Sequence, residues 1–264
     1  MKLAVVTPWA SPFIWAKFCT NLARMMAAFR RPDWQCDFFA GHGCDPAGRH
    51  VDMILQALRW DADLICIIGA DQVHPLDMFD RLIDRYEQTD GGVISALVPF
   101  RGYVPWQHMQ PFQPMGWRIR NGSSTRVKEF EGMDKTPEMF EPIDPAAGDL
   151  QRVDVIGSGV LLFDRETIEA LAKPWFYYDR DPETMQRIAD MDTKMVWRLR
   201  SEVQADVWVD TTIKVTHIHD MEIDDTFSRR FADWADGGDE TICKTEEERP
   251  LAAAVTQVMA GANP

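Results

Sequence analysis

The sequence predicts an α/β protein, a mostly parallel central sheet flanked by helices. Three observations carry that expectation. Leu64 to Ile68 is a run of five apolar residues, the length and composition of a strand buried on both faces. From residue 2 to residue 98, strand-like segments alternate with segments that are apolar at helical spacing, and such alternation builds right-handed crossovers between parallel strands. The chain has 264 residues, 45% of them hydrophobic, enough for one large core.

Taken in order, residues 2–6 predict the first strand, and Thr7-Pro8-Trp9-Ala10-Ser11-Pro12 a loop at its C-terminal end. Phe18, Leu22, Met25 and Phe29 predict a helix packed back on the sheet. Cys36 to Phe39 reads as a second strand and Gly41 to Gly48 as a turn-rich loop. Val51, Ile54, Leu55 and Leu58 form the apolar face of the helix that follows. The central run ends in Gly69-Ala70-Asp71, and a helix through Leu76, Phe79, Ile83 and Tyr86 starts near Pro75. A carboxylate at the C-terminal end of a central strand faces the crevice where open α/β sheets bind ligands. It suits a divalent metal on a diphosphate; the alternative is that Asp71 caps the next helix. Gly92 to Val98 is a further strand.

Between Pro99 and Leu150 the periodicity is lost, and prolines and aromatics crowd together, Trp106 and Trp117 among them. Arg118, Arg120, Arg126 and Lys128 form a local basic cluster there, either a solvated loop face or a contact for an anionic partner. Strand character returns from Val153 to Phe163, broken by Gly157-Ser158-Gly159, which predicts a bulge or a close approach of backbone to ligand. A helix over Glu166 to Leu171 and the aromatic block Trp175 to Tyr178 follow. Ile188, Asp192, Met195 and Leu199 fall at helical spacing. An inward carboxylate at Asp192 needs a partner or a function, unless it is an N-cap. Val207 and Val209 lie on a strand that turns at residues 210–212 and resumes to His217. His217 and His219 share a face if the strand continues, with Asp220 beside them. The tail from Met221 is acidic.

Composition limits the partners. Acidic residues outnumber basic ones 42 to 28, a formal charge of -14, which opposes a broad electrostatic grip on nucleic acid or anionic lipid. Five cysteines are scattered without a Cys-x-x-Cys pair, the usage of reduced thiols. No apolar stretch reaches the roughly 18 residues of a membrane span, and no export signal opens the chain. The expectation is a soluble, cytoplasmic protein with no membrane span.

With these segments in this order, residues 2 to 219 resemble the GT-A-fold glycosyltransferases that use nucleotide sugars. Four features carry the resemblance: the first strand ending in Thr7-Pro8, the acidic motif before Pro75, Gly157-Ser158-Gly159 followed by an apolar strand and Asp164-Arg165, and the Asp192 helix leading to His217. The resemblance implies a Rossmann-like GT-A catalytic domain over 1–220 with an acceptor-side insert at 99–150, and an acidic C-terminal extension over 221–264. Gly69-Ala70-Asp71 stands where the family carries Asp-x-Asp, so Asp71 matches the aspartate that holds Mn²⁺ or Mg²⁺, and Gly69 replaces the other, leaving its contact missing or to Gln72. Asp61-Ala62-Asp63 fits the pattern literally but precedes the strand. Met191-Asp192 stands where the family has Glu-Asp, which makes Asp192 the general base of an inverting transfer. His217 matches a late histidine that joins the metal shell.

The resemblance further places Thr7, Pro8 and Trp9 at the nucleotide, and Arg49 where relatives carry an Arg-Asn pair, with His50 in place of the asparagine. Gly157, Ser158 and Gly159 would approach the sugar or acceptor, and Trp106 and Trp117 the acceptor. The implied donor is a nucleotide sugar, a UDP-sugar first; the acceptor is a glycan, small molecule, protein or modified DNA base. The alternatives are a GT-A-like domain that binds nucleotide or glycan without turnover, and a metal hydrolase built on His217, His219 and Asp220.

Overall fold

The computed structural model describes residues 1–9, 15–99, 115–119, 140–180, 183–185, 187–218 and 222–223. In chain order the elements are β1 (Lys2–Pro8), α1 (Ala16–Ala28), β2 (Gln35–Gly41), α2 (Pro46–Arg59), β3 (Leu64–Ile68), β4 (Gln72–Val73), α3 (Met78–Gln88) and β5 (Val93–Leu97). Then follow β6 (Gly116–Ile119), β7 (Phe140–Pro142), β8 (Leu150–Val153), β9 (Val155–Ile156), β10 (Val160–Asp164) and α4 (Arg165–Ala170). The last are β11 (Asp179–Arg180), β12 (Arg187–Ala189), α5 (Met191–Glu202), β13 (Val207–Lys214), β14 (Thr216–Ile218) and β15 (Glu222–Ile223).

The central sheet has seven strands in the order β2-β1-β3-β10-β5-β13-β8. Five run parallel; β10 is antiparallel to both its neighbours, and β8 is antiparallel to β13 at the edge. This is the mixed α/β sheet of the Rossmann-like GT-A fold. β1, β3 and β5 are apolar through their centres because both faces are covered. Phe18 and Met25 of α1 and Phe79, Leu82 and Ile83 of α3 pack in one core with Val5, Cys66, Ile94 and Leu162. Each such side chain, fully removed from water, stabilises by about 1.5–3 kcal/mol.

Four local expectations are corrected. First, α2 begins inside the expected loop, at Pro46, because Asp45 caps it by accepting from Gly48 N (3.0 Å) and a proline suits the first helical position. That start rotates the buried face to Ala47, His50, Met53, Ile54 and Ala57, leaving Val51, Leu55 and Leu58 half-buried. Second, α3 starts at Met78 after Asp77, so Asp71 is not its cap, and Leu76 is exposed. Third, residues 210–212 make no turn: β13 runs through them with a register irregularity between Asp210 and Lys214. Ile188 likewise lies on β12 and not on α5, whose N-cap is Asp190. Among the described residues no helix is long and apolar enough to cross a membrane.

Candidate active site

The C-terminal ends of β1 and β3 are tied together by Thr7, whose buried hydroxyl donates to Ile68 O (2.7 Å). Beyond β3, Gly69 N donates to Gly159 O (2.8 Å), extending the contact with the turn before β10. The chain then forms β4, which pairs antiparallel with β14 so that His217 lies opposite Gln72, and Ile218 N donates to Asp71 O (2.6 Å). Asp71, in the turn just before β4, and His217 on β14, 146 positions apart in sequence (217 minus 71), are therefore brought together at the end of the central strand.

The Gln72 side chain fills the space that a side chain at position 69 would take. A Cβ on Gly69 would lie 2.7 Å from Gln72 Nε2, and one on Gly159 would lie 2.6 Å from the same atom. Gln72 Nε2 sits 3.0 Å from His217 Nε2, and Gln72 Oε1 sits 3.1 Å from His74 Nε2. An amide nitrogen only donates and an amide oxygen only accepts. His217 Nε2 is then an acceptor, and His74 carries its proton on Nε2. The His74 backbone is held on both sides by Asn21, which accepts from His74 N and donates to His74 O (2.8 Å each). Burial, and then the neighbouring His217, push the His74 imidazole down to about 3. His74 Nδ1 is buried with no hydrogen-bond partner among the described residues.

This arrangement bears on the implied metal. His217 is 6% exposed and its Nε2 lone pair already accepts from Gln72. Among the described residues no group of three His, Cys, Asp or Glu side chains is placed to hold a metal ion; His219 and Asp220 lie outside them. Among the described residues the donors do not by themselves make a preformed metal centre. Asp61 and Asp63 sit at the opposite, N-terminal end of β3, where Asp61 pairs with Arg165 (2.6 Å) and Asp63 accepts from Lys2 N (2.7 Å).

Asp192 lies in the first turn of α5, where the helix N-terminus favours negative charge. Its Oδ1 accepts from Thr193 N (2.8 Å) and its Oδ2 from Ser158 N (3.1 Å). Ser158 Oγ lies 3.4 Å from that same Oδ2 and 3.3 Å from His50 Nε2. His50 Nδ1 is 2.8 Å from Pro46 O, and a carbonyl only accepts, so the ring proton is on Nδ1 and Nε2 accepts from Ser158. Burial lowers the His50 imidazole, outweighing the upward pull of the Pro46 carbonyl and Asp192. The Gly157-Ser158-Gly159 turn thus brings backbone to Asp192 and Gln72. A Cβ on Gly157 would overlap the end of the Met115 side chain.

The remaining expected residues fall as follows. Pro8 pairs with Gly41 at the end of β1, and Trp9 N donates to Gly41 O (3.0 Å). Arg49 Nε donates to Gly43 O (3.0 Å), steadying the loop before α2. Trp117, expected on the acceptor side, is buried against Val155 with Met115, Ile119 and Trp197 around it. Arg118 donates to Arg152 O (3.0 Å) and Gln151 Oε1 (2.6 Å), a sheet contact. Trp106, Arg120, Arg126 and Lys128 lie outside the described residues. Sequence reading missed the inward roles of His50, His74 and Asn21. For His50 the available signal was phase, since 47, 50, 54 and 57 form one helical face.

No protein-family model matches the chain, and no curated protein does. Among solved structures, the chain is similar to that of A197 from STIV, at a TM-score of 0.52 and 12% identity over 85% of this chain and 91% of that one. It also matches S. aureus TarS 1-349, at a TM-score of 0.40 and 10% identity over 79% of this chain and 58% of that one. The A197 likeness is one of fold.

Proposed function

We propose that this chain is a glycosyltransferase that moves a sugar from a nucleotide-sugar donor, a UDP-sugar first, to an acceptor hydroxyl with inversion. One observation supports the reading above the others: the Asp192 carboxylate is fixed by two backbone N–H groups beside the turn that also seats the end of the central strand. A carboxylate held this way is oriented before substrate arrives, which is what a general base requires. In the reaction, Asp192 takes the acceptor proton as the hydroxyl oxygen bonds to the anomeric carbon. The bond from that carbon to the diphosphate oxygen breaks, and the nucleoside diphosphate leaves with the electron pair. Asp71, at the end of β3, faces the diphosphate. The Mn²⁺ or Mg²⁺ ion that the resemblance implies has no preformed site among the described residues, and none of these steps is routed through it.

The test combines binding with turnover. Thermal shift against a panel of nucleotide sugars, with and without Mn²⁺, identifies the donor, and release of nucleoside diphosphate in the presence of candidate acceptors reads transfer. Asp192→Asn is expected to keep the donor-induced shift and to lose roughly 10²–10⁴-fold in turnover. Full turnover in that variant removes Asp192 from the mechanism. A second reading, a GT-A-like domain that binds nucleotide or glycan without turnover, is favoured by one observation. Gln72 occupies the room at Gly69 and engages His217. It predicts a donor shift with no nucleoside diphosphate released for any acceptor.

A further inference from the structure

Beside the candidate site, the outward face of α2 and the segment from Phe176 to Arg180 enclose an open groove of about 690 Å³, within the size range of small-molecule sites. We propose that this groove binds a neutral pyranose ring, the acceptor end of a glycan. As a sugar site the inference stands alone; as an acceptor subsite it rests on the transfer reading.

Its lining has three components. Val51, Leu55 and Tyr177 supply apolar surface, suited to the C–H face of a sugar ring. The Tyr177 ring is backed by cations: Arg198 lies 5.6 Å and Lys194 5.7 Å from its centroid. Arg198 is itself fixed by Glu202 (2.7 and 3.0 Å) and by the carbonyls of Pro174 and Ala172. An aromatic ring has few rotatable bonds, so ordering it against a ligand costs little conformational freedom. The rim is polar. Asp52 Oδ2 accepts from His42 N and Gln56 Nε2 (2.8 Å each), leaving Oδ1 to accept from a sugar hydroxyl. Arg180 is exposed and donates from Nη1 to Met185 O (3.0 Å). Hydroxyls both donate and accept, so carboxylates with a guanidinium match a polyol.

Charge selects against the obvious alternative. Asp45 and Asp52 outnumber Arg180 on the rim, so a phosphate-bearing ligand is disfavoured in this groove. The groove also adjoins the base. Phe176 packs on His50 with centroids 4.7 Å apart, His50 Nε2 reaches Ser158 Oγ, and Ser158 N holds Asp192.

Saturation-transfer NMR on the full chain tests the inference. The probes are methyl glycosides of glucose, galactose, mannose and N-acetylglucosamine, their disaccharides, and UMP. At least one saccharide is expected to bind saturably, and Leu55→Arg and Tyr177→Ala to weaken it tenfold or more. Asp71→Ala should leave it unchanged. Because Leu55 is half-buried, circular dichroism checks that its variant folds, and Asp52→Asn gives an independent polar test with an expected severalfold loss. No saccharide binding, binding indifferent to all three groove variants, or direct displacement by UMP overturns the proposal. Failure of the transfer reading is distinct: saccharides bind and respond to the groove variants while no nucleotide sugar is turned over.

Discussion

Acidification should destabilise this protein through His74, by an amount the structure sets. The folded-state imidazole is pushed down to about 3 by burial, with His217 adding to the effect, against 6.5 when unfolded. Between those values the unfolded chain binds a proton that the native state does not, so stability falls as pH falls. The contribution is fully present above pH 6.5 and declines at roughly 1.4 kcal/mol per pH unit below it. Near pH 5 the loss is about 2 kcal/mol, or roughly 4–8 °C in Tm for a domain of this size. His50, also lowered by burial, acts with the same sign. Urea unfolding at pH 7 and pH 5 measures the loss, and His74→Leu isolates it, since the apolar side chain cannot titrate. The variant leaves Gln72 Oε1 without its donor, a cost of about 1–3 kcal/mol at every pH, which lowers the curve without changing its slope. Wild type should therefore lose about 2 kcal/mol more than the variant between the two pH values. Parallel pH dependences would refute the reasoning, because His74 would then titrate alike in both states.

Three further outcomes are expected. Gln72→Ala removes the partners of His217 Nε2 and His74 Nε2 together; two hydrogen bonds lost from buried groups cost about 2–6 kcal/mol, read by urea unfolding, and a loss under 1 kcal/mol would mean the contacts contribute little. Gly92→Ala places a Cβ 2.5 Å from Asp206 O at a φ of +91°, so a drop of at least about 1 kcal/mol is expected, and an unchanged Tm would show the backbone there adapts freely. Arg85→Met strands the buried Asp210 carboxylate, which Arg85 Nε meets at 2.7 Å; a loss of about 3–5 kcal/mol is expected, and adding Asp210→Asn should recover part of it by removing the charge.

Much of the fold was legible because the decisive signals are local. The apolar run Leu64–Ile68 became the central strand it resembles, and β1, β2, β5 and α1 fell within a few residues of their expected places. What misled was phase and continuity. Asp45 and Pro46 started α2 early and turned its buried face. At 210–212, residues with turn composition, including a local Thr212 N to Asp210 contact (2.8 Å), stay in β13, because Arg85 holds Asp210 from α3 and the strand pairs with β5. Tertiary partners there override local preference. The site was legible as a set of positions and not as a set of contacts. Asp71, Asp192, His217 and the Gly157-Ser158-Gly159 turn do gather at strand ends, but which atoms meet depends on β4 pairing with β14 across 145 positions. No spacing rule reports such a pairing.

That pairing also explains the departure at Gly69. Read along the chain, a glycine in place of an aspartate is a missing ligand. In three dimensions Gly69, Gln72 and Gly159 are one unit: the two glycines clear the volume that the Gln72 amide occupies, and the amide joins His217 to His74. An aspartate placed at 69 would meet the Gln72 amide at its first side-chain atom, so the Gln72 side chain would have to move to admit it. Gln72 links the two imidazoles through both ends of its amide, while His74 Nδ1 on the far side of its ring has no hydrogen-bond partner among the described residues. The end of the central strand is organised around the Gln72 amide, and Asp71 and Asp192 are the carboxylates around which the proposed transfer is organised.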